Sequence, residues 1–291
     1  MTFDPLPKQV LTIDGISYQV AEHPNAPGIP YGQEGRAAIV YKLENKRGAR
    51  ALKVFKSQYR TPSLVTLAEK LATLADLPGL MVCHRSVLAS RQHNDLLHEY
   101  PDLSYAVLMP WVDGQTWQQI LGEKIPLTQE QSLSIARSLS GILTRMEQRG
   151  IAHCDLSSAN LVLPILEENY DPSSFAALEL VDVEQIHANH LEQPEAVPSG
   201  SDGYSHKSVR REKIWNARAD RFAGAILLAE MLAWCDPAIR EAAWGESYFD
   251  PNEMQLSSTR FHLLCQALSN RWGQRTSDLL NRAWSSDILA E

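Results

Sequence analysis

The stretch ADRFAGAILLAEMLAW, residues 219–234, constrains the fold most. A helix that is apolar on nearly every side has no face to give to water, so it belongs at the centre of a domain. Its apolar run contains Glu230 and is too short to span a bilayer. Other helices must therefore wrap around it. The segment LTQEQSLSIARSLSGILTRMEQRG supplies one. Thr128 as N-cap and Gln131 three residues later form a capping-box pattern. Leu133, Ala136, Leu139, Leu143 and Met146 follow at helical spacing, and Gly150 closes the end. The last fifty or so residues read as two or more amphipathic helices. Between these helices, LVLPILEE and FAALELVDVEQI read as short strands around a polar loop.

The first 110 residues have a different texture. ISYQVAEH, AAIVYKL and RALKVFK are strand-like, and the turn ENKRGA joins the last two into a hairpin. The segment TPSLVTLAEKLATLADLPGL carries Leu64, Leu67, Ala68, Leu71, Leu74 and Ala75 at helical spacing. Pro62 suits its first turn, and Pro78-Gly79 stops it. SVLAS and YAVLMPWV read as two more strands. The expectation is an α+β chain with a small antiparallel sheet and one helix over 1–110, and a larger, mainly helical part over 111–291.

Bulk properties narrow the class. The 291 residues can bury a large core, and the net charge of −8 disfavours nucleic acid and acidic membrane surfaces as partners. Cys83, Cys154, Cys235 and Cys265 form no CxxC pair and read as reduced thiols of a cytoplasmic protein. No signal peptide, internal repeat or oligomerisation signal is visible.

Several weak signals fall in a definite order. YGQEGRAAIVY precedes Lys53 on the second strand of the hairpin, and Glu69 lies on the next helix. MPWVDG ends the strand-rich part. GIAHCDLSSANLVL holds His153, Asp155 and Asn160; Asp182 follows in ELVDVEQI, and Asp220 begins the apolar helix. This order resembles the protein-kinase superfamily over nearly the whole chain, from about residue 16 to 289. The resemblance implies a bilobal fold: an antiparallel-sheet N-lobe over 1–110 and a helical C-lobe over 111–291. It implies ATP and Mg²⁺ as cofactors. Lys53 would hold the α- and β-phosphates and Glu69 would orient it. Asp155 would orient the acceptor hydroxyl, and Asn160 and Asp182 would hold the metal. Aligning the phosphate loop on Val40 puts Gly35 at the second glycine and Ala38 at the third, with Gly32 beside the first. Met109 takes the gatekeeper position, and the backbone of Pro110 and Val112 would bond the adenine. Asp220 would brace the catalytic-loop backbone.

Departures from the family pattern bear on activity. Cys154 stands where an arginine usually binds a phosphorylated activation loop, which argues against that control. Cys154 itself reads as an inert packed thiol. Ser157 stands where a protein kinase has a lysine for the γ-phosphate. Glu184 replaces the glycine after Asp182-Val183, as in aminoglycoside-type phosphotransferases. Residues 167–177 form a polar insertion, read as a surface loop. SGSDGYSH (199–206) resembles a substrate-binding segment and, with RTSDLL, favours the protein-kinase branch. Ser199, Ser201, Ser205 and Ser208 are candidate phosphorylation sites.

Three readings follow. One is a bacterial serine/threonine protein kinase moving the γ-phosphate of MgATP to a protein hydroxyl. Another is a pseudokinase, acting as a nucleotide-binding or scaffolding module. The third is a small-molecule phosphotransferase. The resemblance also implies partners encoded nearby, a metal-dependent phosphatase or a von Willebrand A-type protein, with neither nucleic acid nor membrane as partner.

Overall fold

A computed structural model describes residues 3–173, 176–194, 200–205 and 214–285. The fold is mixed, with antiparallel sheets and helices, and the chain divides into two compact units, Met1–Trp111 and Val112–Glu291.

The first unit runs β1 (Val10–Ile13), β2 (Ile16–Val20), β3 (Glu22–His23), β4 (Ala26–Pro30), β5 (Gly32–Glu34), β6 (Ala38–Asn45) and β7 (Gly48–Phe55). Then come α1 (Ser63–Leu71), β8 (Ser86–Val87), α2 (Ser90–Glu99) and β9 (Val107–Pro110). The main sheet has the order β1-β2-β6-β7-β9-β8, with β5 also on β6, while β3 and β4 pair separately. The β6–β7 hairpin is the longest ladder and turns at Asn45↔Gly48, where ENKRGA predicts it.

Register decides which side chains share a face. Val40, Lys53 and Val107 lie in one row across β6, β7 and β9. Side chains alternate along a strand, so Ala38, Ala51 and Met109 share the face of Lys53. The opposite face holds Tyr41, Leu43, Leu52, Val54 and Leu108, which belong to one buried core with Leu11 and Ile13.

Two expectations for this unit need correction. SVLAS contributes strand only at Ser86–Val87, and the unit holds a second helix, α2. That helix buries only His93 and Leu97 and is kinked at His93, so its sequence carries little apolar period. The strand β1 also escaped the sequence reading, being four residues long with two buried side chains.

The second unit runs β10 (Gln115–Thr116), α3 (Trp117–Gly122), α4 (Gln129–Gln148), β11 (Leu161–Leu163) and β12 (Glu179–Leu180). It continues with α5 (Arg221–Ala233), α6 (Pro237–Ala242), α7 (Thr259–Trp272) and α8 (Gln274–Ser285). Strands β10, β11 and β12 form a small antiparallel sheet. Helix α5 buries nine of its thirteen residues, and Ile226, Leu227 and Met231 are fully enclosed. Trp117 and Trp234 meet edge to face at 5.6 Å beside it.

Helix α4 begins with the expected capping box: the Thr128 hydroxyl accepts from Gln131 N, and Gln131 Oε1 accepts from Thr128 N. Its buried face is rotated from the expected stripe, with Ile135 and Ile142 deeper than Leu133 and Leu143. Close approach to α5 explains part of this. A Cβ on Gly224 would come within 2.7 Å of Leu143 Cδ1, so α5 offers Leu143 a glycine to lie against. The insertion lies on the surface, with 167–173 exposed except for half-buried Tyr170.

The cap sets a first test. Thr128→Ala should lower stability by about 1 kcal/mol in urea denaturation, while Thr128→Ser stays within a few tenths. Equal losses for both would remove the hydroxyl from the account.

Candidate functional site

In the first unit Lys53 is the central feature. It lies on β7, 6% exposed, with Nζ 5.3 Å from the centre of the Phe55 ring. A lysine this buried is costly unless its charge is used. Val40 is its cross-strand neighbour, and Ala38 pairs with Phe55 one step along. Met109 is buried on the same face, with Arg85 Nη2 donating to its Sδ at 3.5 Å. Pro110 ends β9 opposite Arg50. Trp111 is half-buried: it meets Tyr31 edge-on at 5.3 Å, and Lys42 Nζ sits 5.2 Å from its ring centre. Val112 is half-buried at the start of the second unit.

Two further expected site residues in this unit, Glu69 and Gly32, have surroundings set by local packing. Glu69 is exposed on α1. The period explains it. Ala68, Leu71 and Ala75 are buried, and at 100° per residue Glu69 points roughly 130° away from their stripe. Gly32 also has a structural reason to be glycine, since a Cβ there would lie 3.0 Å from the Tyr41 ring. The expected phosphate loop is a tight hairpin between β5 and β6, closed by Gly35 N donating to Ala38 O at 2.8 Å. At Gly35 a Cβ would meet only Ala38 O, at 3.6 Å.

In the second unit residues 152–160 are held in one tight weave. Asp220 takes the N-cap position of α5, yet its carboxylate reaches away from the helix. Oδ2 accepts from His153 N at 2.5 Å and Oδ1 from Cys154 N at 2.9 Å. This is the bracing the sequence assigns to it. Burial pushes its carboxyl above the ordinary value, while the backbone amides pull it down. Cys154 has φ +64, a left-handed conformation that a non-glycine residue adopts only under external support. Burial and then the Asp220 charge push its thiol far up, so it is chemically inert, as expected.

His153 is fully buried, and its Nε2 bonds Val181 O at 2.8 Å. Val181 N donates to Asn160 O at 3.0 Å. The catalytic-loop candidate and the segment carrying Asp182 are thus stitched together twice. Asn160, 8% exposed, donates from Nδ2 to Asp155 O at 2.7 Å, so its Oδ1 is not used in that bond. Asp182 is exposed, with φ +62 and ψ +49, the second strained non-glycine residue of the site. Ser157 is buried at 5% exposure.

These residues fit a small hard cation. Mg²⁺ takes oxygen ligands, and commonly one or two from protein with the rest from water and phosphate. Asn160 Oδ1 and the Asp182 carboxylate are such a pair. Among the described residues no group of three or more His, Cys, Asp or Glu side chains is arranged to hold a metal.

Sequence reasoning missed two further residues. Ser201, read there only as a phosphorylation candidate, is half-buried and donates from Oγ to Asp155 Oδ1 at 2.8 Å. It therefore positions the carboxylate. Ser199 and Ser208 lie outside the described residues. Glu230 is the other. Its carboxylate, fully buried, accepts from Trp117 Nε1 at 2.9 Å, from Tyr248 N at 3.1 Å and from the Tyr204 hydroxyl at 3.1 Å. Burial raises its pKa to about 7 against these three donors. A lone acid in an otherwise apolar helix was the available signal.

Two tests follow. Asp220→Asn leaves one of the two amides facing an NH₂ group, so it should cost about 1–3 kcal/mol in denaturation; a neutral result would remove the brace. For Glu230 the native carboxyl binds its proton more tightly than the unfolded one. Its contribution is complete below the ordinary 4.5 and lost as pH rises to about 7. The stability of wild type relative to Glu230→Gln should fall by about 3 kcal/mol over that window. A difference that stays level with pH would contradict the assignment. No protein-family model and no curated protein matches the chain, so its function is argued from its own residues.

Proposed function

We propose that the chain is a phosphotransferase with a bilobal protein-kinase-like arrangement, moving the γ-phosphate of ATP to a protein hydroxyl. The observation that carries the reading is the weave around Asp155. It sets the Asp155 carboxylate, the Asn160 side-chain amide and an exposed Asp182 in a left-handed conformation on adjoining backbone.

Roles follow from charge and geometry. Phosphoryl transfer needs positioning and neutralisation of spread negative charge more than covalent chemistry. Asp155 orients the acceptor. Ser201 occupies Oδ1, and Oδ2 carries no hydrogen bond among the described residues, so it is the oxygen for the acceptor hydroxyl. Lys53 supplies a buried positive charge for the phosphates. Asn160 and Asp182 hold Mg²⁺, which when bound draws charge from the phosphate oxygens. Val40, Ala38 and Met109, on the face of Lys53, give an apolar surface for a base. Gly35 leaves its hairpin free of side chain. The protein-substrate branch rests on the segment 200–205 being anchored beside Asp155, which gives a peptide acceptor a fixed edge.

One observation favours a second reading. Glu69 is exposed on α1, and Ser157 brings no charge. A pseudokinase that binds nucleotide without transfer accommodates both.

The experiment is transfer of labelled γ-phosphate from MgATP to a protein mixture that includes the chain itself. Asp155→Asn and Lys53→Met should each lower transfer by about 100-fold or more, and Asp182→Ala should abolish it. Equal transfer by these variants would overturn the reading. If MgATP raises the melting temperature with no transfer, the pseudokinase reading replaces it.

A further inference from the structure

Glu230 stands among neighbours of a particular kind. Trp117 Nε1 and Tyr248 N donate and cannot accept. Tyr204 alone, with its hydroxyl 3.2 and 3.1 Å from the two carboxylate oxygens, can do either. Ser158 lies near enough to Tyr204 to influence its hydroxyl, and Ser158 Oγ donates to Glu246 O at 2.6 Å. Trp117, Tyr204, Tyr248, Ser158 and Glu230 are each at most 4% exposed. The chain of groups therefore runs from the centre of α5 to the catalytic loop without passing through water.

We propose that Glu230 is a positioning residue for the segment 200–205, acting by reversing this hydrogen-bond chain when it gains or loses a proton. The ionised carboxylate accepts from all three donors, and Tyr204 is held to it by a charge-assisted bond. The neutral acid still accepts from Trp117 and Tyr248. Its own O–H must be donated, and Tyr204 Oη is the acceptor in place. Tyr204 then turns its hydrogen to Ser158 Oγ, and Ser158 keeps its donation to Glu246 O. Both states leave every group paired, so neither pays the cost of a buried orphan.

The consequence reaches Asp155. Ser201, three residues before Tyr204 on the same short segment, donates to Asp155 Oδ1, and Ser158 lies three residues after Asp155. A change in how Tyr204 is held alters both ends of that contact. Burial sets Glu230 to switch near neutral pH. The other charged or titratable groups nearby act through Tyr248. Its hydroxyl donates to Arg260 O, and Arg260 and Cys265 on α7 both influence it.

The test is amide hydrogen exchange across residues 200–205 in the full chain between pH 5.5 and 8, corrected for intrinsic exchange. Wild-type protection there should change by about tenfold over that range, a response of the size one pKa unit represents. It should be level with pH in Glu230→Gln and in Tyr204→Phe. Level wild-type protection, or pH dependence retained in the variants, would overturn the proposal. If Glu230→Gln does not fold, Tyr204→Phe, which removes one hydroxyl, decides. The effect on activity rests on the phosphotransfer reading. If that reading holds, the wild-type rate profile has a limb near neutral pH that Tyr204→Phe lacks. Should wild type transfer no phosphate at any pH, that reading fails while hydrogen exchange still decides this one.

Discussion

The second unit depends on the carboxylate of Asp220. It lies at the start of the most buried helix, where a side chain of its type would ordinarily cap the helix itself. It serves two backbone amides of the loop 65 or so residues earlier instead. Those two bonds hold His153 and Cys154 in place, including the left-handed turn at Cys154. The strain is small beside two charge-assisted bonds in a water-free setting. From that anchor, order passes outward. His153 fixes Val181, Val181 fixes Asn160, and Asn160 fixes the carbonyl of Asp155. Each reactive side chain at the surface thereby rests on backbone that is tied to the centre of the domain. Burial raises the Asp220 carboxyl, and the two amides it accepts from order backbone that apolar packing at the same place would not hold.

The first unit relies on register. One slip of β7 against β6 would turn Lys53 into the core of Leu52 and Val54 and bring Leu52 to its face. The long hairpin and the packed opposite face prevent this. The same alternation gathers Ala38, Val40 and Met109 with Lys53, although they are separated in sequence. The alternation is thus what makes a common surface out of residues scattered over three strands.

What the sequence made legible was local. The capping box at Thr128, the hairpin at Asn45–Gly48 and the fully apolar α5 are each written within a few residues, and each is present. Glu69 was legible too, by a different argument. The resemblance gave it a role toward Lys53, whereas the apolar period of that helix turns it outward. The period reflects burial of several side chains and prevails over a single charge. Ser201 with Asp155, and Tyr204 with Glu230, join positions 46 and 26 residues apart. No local pattern carries such pairs, since the turn of chain that brings them together is set by the packing of other elements. Helix α2 lacked a signal because it buries two side chains in ten.

The proposed phosphotransfer reading needs a metal on Asn160 and Asp182 and phosphates on Lys53. The most direct measurement is a crystal structure with Mg²⁺ and a non-hydrolysable ATP analogue. The account expects Mg²⁺ at about 2.1 Å from Asn160 Oδ1 and from an Asp182 oxygen, with Lys53 Nζ on the α- and β-phosphates. Nucleotide bound elsewhere, or a metal held without Asn160 and Asp182, would contradict it.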